Sequence, residues 1–241
     1  MDAYRKDLAF IHDAGFGAVA EEAARYLIGE LPRFGFDKGL VVDLGCGSGI
    51  LAAGLSKAGY SVLGIDISVH MIALARKRAP ECRFKVGSLL TASLPRSIAV
   101  TAVGESLNYM FDKRNTTQSR RQLFKRVFAA LQPGGVFLFD LLGPGCTPGG
   151  AYRSHASGGD WAVLVNVRED PARRELTREI TSFRKIGRSY RRDEETHRVR
   201  LLDPDEVRTD LVDSGFKVRM LRGYGETRFR HGHSGFLARK K

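Results

Sequence analysis

The stretch Val-Val-Asp-Leu-Gly-Cys-Gly-Ser-Gly-Ile at 41–50 constrains this chain more than any other. An apolar run of strand length opens into three glycines, and helix-compatible residues follow from Ile50 to a stop at Gly59. A buried strand that ends in a glycine-rich turn and enters a helix presents backbone N–H groups at a helix N-terminus, where a nucleotide-type ligand can come close to the main chain. The glycines are Gly45, Gly47 and Gly49, a G-x-G-x-G spacing that differs from the G-x-G-x-x-G of dinucleotide binders, and Asp43 stands two residues before the first. A carboxylate there suits a ligand carrying an ammonium or sulfonium group better than one carrying a pyrophosphate.

The rest of the chain predicts an alternating β/α order. Residues 61–66 form a second apolar run ending in Asp66, and Ser68 is placed to cap a helix that runs to Arg78 before Pro80 stops it. Strands are expected at 82–88, 98–104 and 134–142, with a helix over 117–131 that Pro133, Gly134 and Gly135 close in a left-handed cap. Such alternation implies a parallel sheet. Before it, residues 4–31 carry apolar positions at helical spacing, broken at Gly15–Gly17, which predicts two short helices forming an N-terminal cover over 1–38. After it, residues 143–159 are rich in Gly, Pro and Ser and read as a mobile loop, and 160–200 read as three extended runs forming an inserted antiparallel meander. A helix and two strands over 203–241 complete the chain, giving one domain whose half at 39–142 binds the ligand.

Composition narrows the class further. With 43% hydrophobic and 27% charged residues and no apolar run near the ~18 residues of a membrane span, the chain reads as a soluble globular protein. Cys46, Cys82 and Cys146 are isolated, so neither a disulfide framework nor a metal site is indicated, and a cytoplasmic location is expected. The formal net charge of +12, spread over both halves, keeps a nucleic-acid partner open against the plainer reading of a solvated basic surface.

Five segments in order carry a resemblance: VVDLGCGSG at 41–49, the acid of GIDIS at Asp66, VGS at 86–88, GES at 104–106 and LQPGGVFLFD at 131–140. Together they resemble the motifs of class I, Rossmann-like S-adenosylmethionine-dependent methyltransferases. The resemblance implies an α/β three-layer sandwich around a seven-stranded sheet of order 3-2-1-4-5-7-6 with the seventh strand antiparallel. It implies S-adenosylmethionine as cofactor, with Asp43, Gly45, Cys46 and Gly47 along its methionine and ribose portion. Asp66 and Ile67 would meet ribose and adenine, Ser88 and Leu89 the adenine amino group, and Gly104 and Glu105 the methyl donor. Met71 offers a further thioether contact to the adenine, or is an ordinary core residue. Two departures stand out. Ser88 replaces the aspartate that many relatives use, and GESLNYMFD lacks the Asn/Asp-Pro-Pro-aromatic signature of enzymes that methylate nucleobase amines.

Displacement at a sulfonium has a good leaving group already, so positioning and desolvation supply most of the acceleration. Candidates to face the methyl are Glu105, Asn108 and Tyr109 after the fourth strand, and His12 with Asp13 from the cover. Trp161, His197, Tyr224, His231 and His233 lie where an acceptor pocket would be assembled, although core or surface roles are open for each. The expected function is methyl transfer to oxygen or nitrogen of a small molecule, without a membrane partner. RNA or protein methylation, a non-catalytic cofactor-binding module and a nicotinamide oxidoreductase are the alternatives. The inserted strands are expected to serve as a lid or as a homodimer contact.

Overall fold

The structure, a computed structural model, describes residues 3–241. Helices α1 (Lys6–Gly15) and α2 (Ala18–Glu30) lead through a 3-10 turn at Pro32–Phe34 into β1 (Leu40–Leu44), α3 (Ile50–Lys57), β2 (Ser61–Asp66), α4 (Val69–Arg78) and β3 (Arg83–Val86). There follow β4 (Ser97–Ala102), α5 (Thr117–Ala130), β5 (Leu131–Leu142), and the strands β6 (Ala151–Ser157), β7 (Trp161–Asp170), β8 (Glu175–Ile186) and β9 (Ser189–Arg200). The chain closes with α6 (Pro204–Asp213), β10 (Phe216–Leu221), the short strands β11 (Gly223–Tyr224) and β12 (Thr227–Arg228), and β13 (His233–Lys240).

The main sheet runs β3-β2-β1-β4-β5-β13-β10, and β13 is antiparallel to both of its neighbours. Side chains alternate across it with the period of a pleated strand. Val41, Ala99 and Leu138 enter the core shared with α2, α3 and α4. Val42, Val100, Phe137 and Phe139 enter the opposite core, shared with α5 and α6. The fold is the α/β three-layer sandwich that the motifs imply, with the parallel strands ending together on one edge.

Local chemistry accounts for the helix starts. Ser68 Oγ accepts from Met71 N at 3.3 Å, Thr116 and Ser119 form a reciprocal capping box on α5, and Asp203 caps α6 ahead of Pro204. Two expectations need correction. Helix α5 does not end in a left-handed cap: it stops at Ala130, extended backbone resumes at Leu131, and Gly134 lies in an irregularity where the β4–β5 register shifts between Ser97 and Ala99. The insertion has four strands and not three, because β6 occupies part of the presumed loop. Nearly every β6 residue is exposed, as befits an edge strand wet on both faces, so no hydrophobic alternation announced it.

The second sheet, β6-β7-β8-β9, stands over the carboxyl edge of the main one. Asn108 joins the two: its Nδ2 donates to Leu142 O at 2.8 Å and Arg200 O at 2.6 Å, and its Oδ1 accepts from Leu142 N at 3.1 Å. Helix α1 fills the remaining gap. Leu8 and Ile11 pack on Trp161, Val163 and Ile180 of the second sheet, and Asp7 accepts from Arg184 and Arg191. On its other side Asp13 pairs with Arg78 of α4. Helix α1 is thus strapped to both bodies, above the strand ends.

Candidate cofactor and acceptor site

The turn after β1 is shaped by contacts that each glycine alone permits. Gly45 has φ +70, and a Cβ there would lie 2.5 Å from Ser106 Oγ, so the β1 turn and the loop after β4 pack closely. Gly47 has φ +52, and a Cβ there would meet nothing within 4 Å, so its backbone faces open space. Gly47 N donates to Asp66 Oδ2 at 2.9 Å, and Ser68 N donates to Asp66 Oδ1 at 2.8 Å. The Asp66 carboxylate at the end of β2 is therefore fixed in place, with further lone pairs free to accept from ligand hydroxyls. Ile67 beside it is 40% exposed and supplies an apolar face.

Asp43 lies beneath this turn and is 2% exposed. Its Oδ1 accepts from Thr101 Oγ1 at 2.7 Å, while Oδ2 is buried with no partner. Burial pushes its carboxyl up to about 7 against the Thr101 hydrogen bond, and the nearby Asp66 charge adds to the rise. A buried acid with a half-buried one nearby makes a negative well that a cation relieves. An adenosyl sulfonium with an amino acid tail fits this donor set: hydroxyls for Asp66, open space at Gly47, a flat ring on Ile67 and positive charge near Asp43.

Three of the expected cofactor residues turn their side chains to other partners in the protein. The Cys46 side chain turns into the core against Gly64 and Phe84, so only its backbone borders the turn. Met71 is 2% exposed and offers no free surface to a ring. Ser88 Oγ donates to Asp112, a residue the sequence reading passed over, and accepts from Leu90 N at 3.1 Å. Arg114 holds the Asp112 carboxyl down to about 2, so an anion stands where Ser88 supplies none. Leu89 beside it is half-buried.

The loop after β4 is set by Asp140, near the end of β5. Its carboxylate accepts from Gly104 N at 2.9 Å, Glu105 N at 2.7 Å and Tyr224 Oη at 2.9 Å. Glu105 sits at φ +61, a strained conformation for a side-chain-bearing residue, which those bonds hold. Its Oε2 accepts from Arg178 Nη2 at 2.7 Å and its Oε1 meets His233 Nε2 at 2.6 Å. Burial alone would raise its pKa, but Arg178 and His233 overcome that and bring it down to about 2. Glu105 is thereby held as an anion beside Arg178 and His233.

Around that ion pair the walls are aromatic. Tyr109 Oη accepts from Arg178 Nη1 at 3.1 Å and shares a hydrogen bond with Tyr4 Oη at 2.9 Å. Phe111 stacks on Tyr109 with centroids 4.9 Å apart. His197, 2% exposed, meets the rings of Tyr4, Tyr109 and Phe111, and its Nε2 lies 3.0 Å from Glu195 Oε2. His12 lies edge-on to Tyr4, and burial brings it down to about 4, so it is neutral at physiological pH and a weak base. Nδ1 of His12, His197 and His233 are all buried without a partner.

Other candidates fall away from this cluster. Asn108 is the clamp between sheets, Asp13 pairs with Arg78, Trp161 anchors α1, Tyr224 supports Asp140, and His231 is exposed. Sequence reasoning missed Arg178, Asp140, Asp112 and Glu195. No group of three or more His, Cys, Asp or Glu among the described residues could hold a metal ion.

A family model described as a methyltransferase domain matches residues 41–135, the span from Asp43 and the glycine turn through the loop of Glu105 and Tyr109. Over that span the chain is similar to methyltransferase domains. Its relatives extend the likeness unevenly. "Putative methyltransferase YqeM" of Bacillus subtilis (strain 168) is 27% identical over 191 residues, 76% of this chain and 75% of that one. Trans-aconitate 2-methyltransferase of Variovorax paradoxus (strain S110) is 36% identical over 106 residues, which is 42% of this chain. Such shorter matches span only about two fifths of the relatives' own lengths, 41% and 38% in two cases. In structure, the chain superposes on CalS10, an amino pentose methyltransferase from Micromonospora echinaspora solved with S-adenosylmethionine bound. The TM-score is 0.78 at 19% identity, with all of both chains covered. That likeness includes the fold of the second sheet as well as the first.

Proposed function

We propose that this protein transfers the methyl group of S-adenosylmethionine to an oxygen or nitrogen of a small-molecule acceptor. The observation that carries the reading is the roof. Tyr4 ahead of α1 meets Tyr109 from the loop after β4 and His197 from the inserted sheet, so three distant segments close over the strand ends. A covered site of this kind suits a small molecule better than a polynucleotide or a folded protein. The likeness to an amino pentose methyltransferase agrees with it.

When bound, S-adenosylmethionine supplies an electrophilic methyl on a sulfonium. The chain's part is to bind, orient and exclude water. Asp43 and Asp66 hold positive charge and hydroxyls, and the stacked Tyr109 and Phe111 wall off solvent. Glu105 stays ionised and is aimed by Arg178 and His233. With Nε2 of His233 committed to Glu105, its Nδ1 is the atom left to take a hydrogen bond or a proton from the acceptor.

Calorimetry with S-adenosylhomocysteine, followed by transfer of labelled methyl to a panel of hydroxyl and amine acceptors, tests the reading. Binding with turnover of a small molecule is expected. Binding without turnover of any member would favour a non-catalytic module, and no binding would remove the cofactor assignment. The net charge of +12 supports a second reading, in which RNA is the acceptor. Tight RNA capture that weakens steeply with salt, with methyl transferred to the RNA, would replace the first reading by the second.

A further inference from the structure

Alternation along β9 separates two environments. Glu195, His197 and Val199 face the aromatic cluster, whereas Arg198 and Arg200 point to the other side of the sheet. There Arg200 meets a cavity of about 390 Å³ between the N-terminal turn of α5, α6 and the hairpin that joins β7 to β8. Five arginines line it: Arg120, Arg121, Arg173, Arg174 and Arg200.

Its three carboxylates are already committed. Asp210 pairs with Arg121 at 2.7 Å, Glu206 pairs with Arg174 at 2.9 Å, and Asp203 caps α6 by accepting from Asp205 N and Glu206 N. Arg173 reaches Asp170 at 3.7 Å. Arg120 and Arg200 have only neutral partners. Arg120 donates to Asn115 Oδ1 at 3.4 Å and Thr117 Oγ1 at 3.2 Å, and Arg200 donates to Asn115 O at 2.9 Å.

Arg120 is 6% exposed, so its charge is buried without an ionic partner, a costly state for a guanidinium. It also stands in the first turn of α5, at the positive end of the helix dipole, in a turn that holds no acid. Burial, and then the charge of Arg200, lower its pKa to about 10. The charges of Asp210 and Glu206 act on Arg120 in the opposite sense, but those carboxylates are paired with Arg121 and Arg174, and the forked donors of Arg120 and Arg200 match the oxygens of a phosphate or carboxylate.

We infer that the cavity at the first turn of α5 binds a small oxyanion, a phosphate- or carboxylate-bearing metabolite, between Arg120 and Arg200. The volume leaves room for an organic body beside the anionic group. The site lies behind the loop that carries Glu105 and Tyr109. Asn115, which accepts from both arginines, donates through Nδ2 to Leu107 O at 3.0 Å and Tyr109 O at 2.8 Å. Arg200 N donates to Asn108 O at 2.8 Å. An anion seated here would stiffen that loop from its far side, whichever acceptor the other side takes.

Thermal unfolding of the full chain in inorganic phosphate, in citrate, and in chloride of equal ionic strength tests the site. Phosphate or citrate at about 20 mM should raise Tm by roughly 2–5 °C over chloride, and the more effective of the two identifies the anion chemistry. Arg120→Gln and Arg200→Gln should each abolish that rise, while Arg83→Gln on the exposed face of β3 should keep it. In chloride alone Arg120→Gln should be at least as stable as the parent, because a like-charge contact is relieved, and the order should reverse in the effective anion. An equal rise in the parent and both arginine variants, or no rise in any, overturns the proposal. Should Arg120→Gln fail to fold, Arg200→Gln decides the outcome on its own.

Discussion

At the residue scale, the two acids of the cofactor turn behave differently from ordinary surface carboxylates. Asp66 is held by two backbone donors and faces the open side of Gly47. Asp66→Asn should weaken S-adenosylhomocysteine binding roughly 10–100-fold in calorimetry, the scale of a lost charge-assisted hydrogen bond. Asp43, pushed up to about 7 by burial, is partly protonated in a neutral solution of the free protein, and a cation beside it favours the ionised form. Binding at about pH 6.5 should therefore release a fraction of a proton, read from calorimetry in buffers of different ionisation enthalpy, and Asp43→Asn should abolish the release. Much of this corner was legible in sequence because it is local: the glycine spacing, Asp66 at a strand end and Ser68 as cap are all set within a few residues. Arg178, Asp140 and Asp112 were not, since each reaches its partner across distant chain, and no spacing rule registers such pairs. Cys46 and Met71 show a related limit. Position in a motif does not say which way a side chain turns.

At the scale of elements, the main sheet and its helices were readable because strand alternation and capping act over short spans, whereas β6 carries no pattern on either face. The strap α1 depends on Trp161 more than on any ion pair, since that ring packs on Leu8 and Ile11 inside a small cluster. Trp161→Ala should cost about 3 kcal/mol in stability. Hydrogen exchange over residues 6–15 should rise more than over β1 or β5, and methyl transfer should fall with cofactor binding nearly intact. Uniform loss across the chain would mean that α1 and the second sheet unfold together with the first.

At the scale of the whole molecule, opposing titrations share one pH range. Asp43 has a raised folded pKa, so its contribution is fully present below about pH 4 and is lost as pH rises toward 7. His12 has a lowered one, so its contribution is present above about pH 6.5 and is lost as pH falls toward 4. Between those limits the two oppose each other, while the raised carboxyls of Asp66 and Asp140 add to the Asp43 side and tilt the parent's stability downward as pH rises. Asp43→Asn removes its own share of that tilt. Relative to the parent it should gain about 1–3 kcal/mol between about pH 5 and pH 7.5 in urea unfolding, with Thr101 still able to donate to the amide oxygen.

The roof over the strand ends also bears on how such a protein can change. Tyr4, Arg178, Glu195 and His197 all come from outside residues 41–135, the span that matches the methyltransferase domain. On the proposed reading, drift or deliberate grafting in the strap and second sheet would remodel the acceptor side while the donor turn keeps its grip, making acceptor preference and donor affinity separable traits.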